Sequence, residues 1–284
     1  MDYIDLHTHS TASDGTFRPS ELVQKAKAEG VSVLAITDHD TVDGVEEAQT
    51  WGRLLGIEVI GGVELSVNYN NQEMHILGYH VDRKNPLLLE GLHKLRHYRD
   101  IRNPLMIERL QKMGISITLE EVEEMARGQI VGRPHFAQVL MRKGIVSSTA
   151  EAFERFLGAG QAAYVKKEKL TPQEGIELLK QAGAIPVLAH PIYLEKQEKE
   201  SFSAILGELV SYGLRGIEAY YPEHSAEDVK KFVSLAQEHH LLITGGSDFH
   251  GSNKPKTRLG RIMYNGKPIP SSVTKKMKEC LLNV

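Results

Sequence analysis

The chain has 284 residues, 41% hydrophobic and 25% charged, with 37 acidic against 34 basic side chains and a net charge of -3. That balance describes a globular protein able to bury a sizeable core, and its slight acidity excludes a generic nucleic-acid or membrane coat, which needs a basic surface to displace counterions. A single cysteine, Cys280, excludes both an intramolecular disulfide framework and a cysteine-based zinc site. The opening residues lack the basic and apolar regions of a signal peptide, and no apolar run reaches the length of a bilayer span, so the expected location is cytoplasmic.

In chain order, YIDLHTH reads as a strand and PSELVQKAKAEG as a helix ending at Gly30. VSVLAITDHD is a second strand, VDGVEEAQTWGRLLG a second helix, and IEVIGGVELSV and MHILGYHV two more strands. This strand and helix rhythm predicts an α/β fold with a parallel sheet or barrel. From about Asp82 to Tyr164 only helical patterns occur, LLLEGLHKLRHYRDIRNPLMIERLQKMG first among them, which predicts a helical insertion or lid. The alternation then resumes with TPQEGIELLKQAG as helix, AIPVLAHP as strand, FSAILGELVSYG as helix and GIEAYYP as strand. AEDVKKFVSLAQEHH (helix) and LLITGGSDFHG (strand) follow, so residues 1–81 and 165–284 form one domain interrupted by 82–164.

Residues able to hold a metal recur at the predicted strand ends. His7, His9 and Asp14 follow strand one, His39 strand two, Glu64 lies in strand three and His75 in strand four, and His190, Asp248 and His250 come later. In α/β sheets and barrels the C-terminal strand ends build the active site. His7 with His9, and Asp248 with His250, are two apart and so share one face of a strand, whereas on a helix they would diverge. His75 and His80, five apart, face opposite ways. An isolated His-x-His is more often a packed pair than a metal site, and it is the joint pattern that carries weight. Imidazoles and carboxylates without thiolates suit manganese, zinc or iron(II). Six histidines and three carboxylates exceed what one ion can use, so two or three divalent ions are expected.

The ordered segments D-L-H-T-H-S with S-D-G-T, A-I-T-D-H-D, G-V-E-L-S, H-I-L-G-Y, A-H-P and G-S-D-F-H resemble the PHP (polymerase and histidinol phosphatase) family, over most of the chain outside the insertion. Within it the chain is similar to the TrpH-like branch, which includes nucleoside 3',5'-bisphosphate phosphatases and 5'-to-3' exoribonucleases. The resemblance implies a distorted (β/α)7 TIM-like barrel with a trinuclear site. In it His7, His9, Glu64 and Asp248 hold one ion, Glu64 bridges to a second held by His75 and His190, and Asp14, His39 and His250 hold the third. It also selects His75 over His80.

The chemistry so implied is hydrolysis of a phosphate ester by in-line attack of a hydroxide shared between ions, without a phosphoenzyme. The expected partner is a small phosphorylated nucleotide such as a nucleoside 3',5'-bisphosphate; the alternative is 5'-to-3' exonuclease action on short RNA or DNA at the same site. A non-catalytic metal-binding regulatory module is the alternative from another class, and the complete ligand set argues against it. Neither membrane binding nor stable duplex nucleic-acid binding is expected. Expected phosphate contacts are Arg133 and His135 of G-R-P-H-F, His224 of Y-Y-P-E-H and, more weakly, Arg18, with His224 also able to protonate the leaving oxygen. The basic clusters K-K-E-K at 166–169 and K-P-K-T-R at 254–258 are candidates for guiding an oligonucleotide, although such runs are usually solvated faces.

Overall fold

The computed structural model describes residues 3–70, 72–126, 131–165, 170–197, 201–261, 268–270, 273–274 and 276–277. The 166–169 cluster and Cys280 lie outside the described residues. The chain divides into two compact units, one of Met1–Gly91 with Leu170–Val284 and the other of Leu92–Lys169. Among the described residues no helix is long and apolar enough to cross a membrane.

The first unit is built on a seven-stranded sheet whose strands lie in sequence order: β1 (Tyr3–Asp5), β2 (Val31–Ile36), β3 (Glu58–Tyr69), β4 (Gln72–Tyr79), β5 (Ile185–Leu188), β6 (Gly216–Tyr220) and β7 (Leu242–Gly245). Helices α1 (Pro19–Ala28) and α2 (Val45–Leu55) make the first crossovers, so β1, β2 and β3 pair in parallel. Both helices carry the expected punctuation: Pro19 opens α1, and Gly56 ends α2 in the left-handed conformation at φ 66°.

The all-parallel expectation fails at β4, which is antiparallel to both β3 and β5. The cause is local. Only residues 70 and 71 separate β3 from β4, and Asn70 takes a left-handed φ of 48°; so short a link can only reverse the chain into a hairpin, whereas a parallel return needs a crossover of about a dozen residues or more. Parallel pairing resumes from β5 to β7, with α9 (Phe202–Tyr212) and α10 (Ala226–Glu238) as crossovers, while α7 (Pro172–Gln181) leads into β5 and the short α8 (Ile192–Gln197), absent from the sequence reading, follows it. Pro172 at the first position and a reciprocal Thr171–Glu174 capping box start α7.

The sheet's residues Ile4, Leu6, Ala35, Ile60, Leu77, Tyr79 and Val187 pack into one buried cluster. Beyond the ends of β1 and β7 the backbones meet: Gly245 O accepts from Leu6 N at 3.2 Å, His7 O from Asp248 N at 2.8 Å and Phe249 O from His9 N at 3.0 Å. Gly246 allows this approach, since a Cβ there would overlap His7 and lie 2.7 Å from its Cα.

The second unit has its own core of Met106, Leu110, Val122, Phe136, Leu140 and Leu157. It contains the C-terminal part of α3 (Pro86–Lys112) together with α4 (Leu119–Ala126), α5 (Arg133–Arg142) and α6 (Thr149–Ala152), the last running into one π-helical turn, Phe153–Leu157. No strand occurs among its described residues. Gly246→Ala is expected to destabilise the protein by about 2–3 kcal/mol, because the clash is with backbone that cannot rotate away; an unchanged urea midpoint would contradict the close approach.

Candidate metal centre

The strand ends leave regular geometry before they reach the site. β1 stops at Asp5, yet Thr8 still bridges to Phe249, and the Thr8 hydroxyl donates to Ala35 O at 2.6 Å while Thr8 O accepts from Thr37 N at 3.0 Å. This pinned, extended segment keeps His7 and His9 on one side, their Nε2 atoms 3.1 Å apart. On the next strand end, Glu64 N donates to Asp38 O and Asp40 N to Glu64 O, which sets His39 beside Glu64. Asp248 and His250 were expected in a strand, but β7 ends at Gly245 and Asp248 is left-handed at φ 54°. Asp40 and His190, at φ 52° and 26°, share this strain, which non-glycine residues adopt mainly where the surroundings impose it.

All nine expected ligands come together. Fully buried Glu64 is their centre. Its Oε2 lies 3.2 Å from His7 Nε2, 3.2 Å from His9 Nε2 and 3.1 Å from His39 Nδ1; its Oε1 lies 2.9 Å from His75 Nδ1 and 3.0 Å from His190 Nε2. Asp248 Oδ1 is 3.3 Å from His9 Nε2 and 3.2 Å from His250 Nδ1, and Asp14 Oδ1 is 3.2 Å from His250 Nε2. Three groups have ligand atoms within 4.8 Å of one another: His7, His9 and Asp248; His39, Glu64 and His75; and His9, Asp14, His39 and His250. His9 and His39 each fall in two of them, so the grouping is more shared than the partition the resemblance implies.

The donor set fits metal ions. Ligands at 2.0–2.2 Å from an ion stand about 3.0–3.4 Å from one another along the edges of its coordination polyhedron, and the separations above match this. Among the described residues His39 Nδ1 is buried with no hydrogen-bond partner despite its 3.1 Å approach to Glu64, an orientation suited to a lone pair aimed at a cation.

The electrostatics carry the same sign. Burial opposes charge on His7, His9 and His75, but the carboxylates prevail: Glu218, Glu64 and Asp248 raise His7 well above the usual imidazole range, Asp248 and Glu64 bring His9 to about 9, and Glu64 and Glu73 bring His75 to about 9. At His39 burial prevails over Glu64 and Asp14, pushing it down to about 3. Burial would likewise raise Glu64, Asp14 and Asp248, yet the surrounding cationic groups, Lys254 foremost at Asp248, hold all three well below the carboxylate range. Protons on these imidazoles and the Lys254 ammonium thus balance the carboxylates.

A second ring of groups orients the first. Glu218 of β6, fully buried, accepts from the His7 ring Nδ1 at 3.0 Å and from His190 N at 2.8 Å. Asp38 accepts from Ser10 N and Oγ, both at 2.7 Å, and from Ser13 Oγ at 2.6 Å, fixing the turn between His9 and Asp14. Asp5 accepts from Ser247 N and Oγ and from Gly260 N, and burial raises its pKa to about 6. Glu218 thereby fixes the tautomer and direction of the His7 imidazole, whereas Asp38 and Asp5 hold the backbone and serines beside the ligands. None was singled out in the sequence, although Glu218 had a visible signal as a charged residue inside the apolar strand GIEAYY.

The expected substrate contacts are more scattered. His224 is 1% exposed; its Nδ1 donates to Ala219 O at 2.9 Å, its Nε2 has no partner among the described residues, its ring lies 5.3 Å from that of Tyr221, and burial lowers its pKa. Arg18 is exposed at the start of α1. Within the second unit, the Arg133 guanidinium lies over the rings of Phe153 and Tyr164 at 5.5 and 5.7 Å, and His135 Nδ1 accepts from Gly132 N at 3.0 Å.

Known proteins are similar to this chain over most of its length. A 5'-3' exoribonuclease of Haemophilus influenzae is 36% identical over 246 residues, covering 87% of this chain and 89% of its own. A 3',5'-nucleoside bisphosphate phosphatase of Chromobacterium violaceum is 31% identical over 261 residues, 92% of this chain and 91% of its own. The solved structure of an inferred metal-dependent phosphoesterase of Bifidobacterium adolescentis superposes with a TM-score of 0.85 at 28% identity, covering 99% of this chain and 96% of that one. The PHP domain model matches residues 5–242, from the strand that presents His7 to the start of β7, and the chain belongs to the PHP domain family.

Proposed function

We propose that the protein is a metal-dependent phosphoric ester hydrolase that removes phosphate from small nucleotides of the nucleoside 3',5'-bisphosphate kind. The observation that carries this is the gathering of five imidazoles around buried Glu64, with His250, Asp14 and Asp248 joined to the same cluster, at coordination-polyhedron spacing. The Chromobacterium relative's name supports the substrate class. A second reading, 5'-to-3' exonuclease action on short oligonucleotides at the same site, is favoured by the Haemophilus relative's name. In the same proposal the sheet closes as a distorted (β/α)7 barrel, supported by the hydrogen bonds joining the ends of β1 and β7, and 82–164 is its helical insertion.

His7, His9, Asp14, His39, Glu64, His75, His190, Asp248 and His250 would hold two or three divalent ions, manganese foremost with zinc and iron(II) as alternatives. When bound, the ions activate a water for attack and neutralise the phosphate oxygens. The chain's part is geometric: Glu64 offers one oxygen to each side of the centre, so it can serve two ions at once. Glu218 keeps His7 in the tautomer whose Nε2 faces Glu64, and Asp38 stiffens the Ser10–Ser13 turn that returns Asp14 to the centre. Burial of these groups excludes bulk water and strengthens each interaction.

Arg133, His135 and Arg18 are assigned to phosphate binding on their chemistry. His224 donates its Nδ1 proton to Ala219 O, and its buried Nε2 is the atom we assign to the substrate. Delivering a proton from there to the leaving oxygen requires the ring to charge against its burial, which the negative charge of a bound phosphate promotes.

Manganese-loaded protein is expected to turn over a 3',5'-bisphosphate with a higher kcat/KM than a mononucleotide; a 5'-phosphorylated oligoribonucleotide assayed beside them separates the two readings, and turnover of none would sink both. His9→Ala and Asp248→Ala should lose bound metal and with it all measurable turnover. Arg133→Ala should keep its metal, read by elemental analysis, and raise KM about tenfold or more. Because His9 and His75 are protonated at pH 7 in the metal-free protein, with pKa values of about 9, and ligation needs neutral rings, binding must expel protons. Apparent metal affinity should therefore climb from pH 7 to 9, with calorimetric heats that depend on the buffer; affinity independent of pH over that interval would contradict the proton assignment.

A further inference from the structure

Asp248 uses its two oxygens for different purposes. Oδ1 faces the imidazoles of His9, His250 and, at 3.7 Å, His7. Oδ2 faces the other way, accepting from the Tyr221 hydroxyl at 2.8 Å and from Lys254 Nζ at 2.5 Å. The two donors differ in mobility. Tyr221 is 2% exposed and its hydroxyl stands 3.3 Å from that of Tyr193, so it is locked in place. The Lys254 side chain is 41% exposed although its ammonium rests on a carboxylate only 7% exposed, so it reaches in from the rim of the site on a flexible four-carbon stem.

The charge on Asp248 must be balanced in the metal-free protein, and the ammonium contributes to that balance. Divalent cations on the Oδ1 side would replace it and, at the distance of one carboxylate, repel it. Tyr221, being neutral, is not repelled and can keep Oδ2 in place after the lysine leaves. A phosphate arriving from solvent then offers the displaced ammonium a new anionic partner at the same rim.

We propose that Lys254 is a stand-in cation for the metal centre: it neutralises Asp248 while ions are absent and, once they bind, turns to hold a phosphate oxygen of the substrate. The second half rests on the phosphoesterase reading; the first does not. A fixed salt bridge that merely props Asp248 would act in the opposite sense, because losing a prop weakens metal binding whereas losing a competitor does not.

The test titrates metal-stripped wild type, Lys254→Met, Lys254→Arg and Tyr221→Phe with manganese by calorimetry, then measures steady-state kinetics of the loaded proteins on adenosine 3',5'-bisphosphate. Lys254→Met should bind manganese at least as tightly as wild type and show a KM raised about tenfold or more with a much smaller change in kcat. Lys254→Arg should recover most of the lost KM, since a guanidinium also holds phosphate, and Tyr221→Phe should weaken manganese binding. Manganese affinity that falls in Lys254→Met would make the lysine a prop and overturn the proposal; so would an unchanged KM. If wild type hydrolyses no phosphate ester, the phosphoesterase reading fails, and the manganese titration still decides whether Lys254 competes with the ions.

Discussion

The centre of this protein is held together by one carboxylate. Glu64 is completely buried, and its two oxygens are shared by five imidazoles from four separate segments of chain. Burying an anion among so many titratable rings is tolerable only when compensating positive charge is present. Protons on His9 and His75 and Lys254 on Asp248 provide such charge; divalent ions would provide it in a smaller volume. The demand for cations is therefore a property of the folded chain, independent of which ion meets it.

That demand shapes the architecture around it. Asp5, Asp38 and Glu218 form an outer layer of buried acids whose hydrogen bonds run from one strand end to another rather than along a strand. They reinforce the irregular segments after β1, β2, β5 and β7, where backbone hydrogen bonding between strand ends continues only in part. The left-handed Asp40, His190 and Asp248 belong to the same economy of space: regular strand geometry would carry these residues past the centre. The Leu92–Lys169 unit has a separate apolar core.

Much of this was legible beforehand because imidazole and carboxylate side chains at successive strand ends are conspicuous, and because each strand was short, apolar and bounded by turn residues. Positions 7, 9, 14, 39, 64, 75, 190, 248 and 250 were all identified this way, with the family resemblance deciding for His75 against His80. Less legible was the direction of β4: its composition is the same whether it runs parallel or antiparallel, and only the two-residue link at Asn70 settles the matter. The outer acids escaped notice for a related reason. Asp5 and Asp38 sit beside histidines in the same motifs, and nothing in their spacing tells a residue that touches an ion from one that orients its neighbour.

By itself the sequence determined the alternation of strand and helix, the presence of helices between β4 and β5, and the list of groups able to bind metal, since these depend on periodicity and on side-chain chemistry within a few residues. Tertiary structure alone decided which of those groups share an ion-sized space, that Glu64 stands at their middle, and that His9 and His39 each belong to two clusters. Those facts depend on contacts such as Glu64 with His190 and His7 with Glu218, spanning more than a hundred residues, and on left-handed turns that no local pattern announces. Proton occupancy, and with it the readiness of the site for cations, follows from burial, which exists only once the chain has folded.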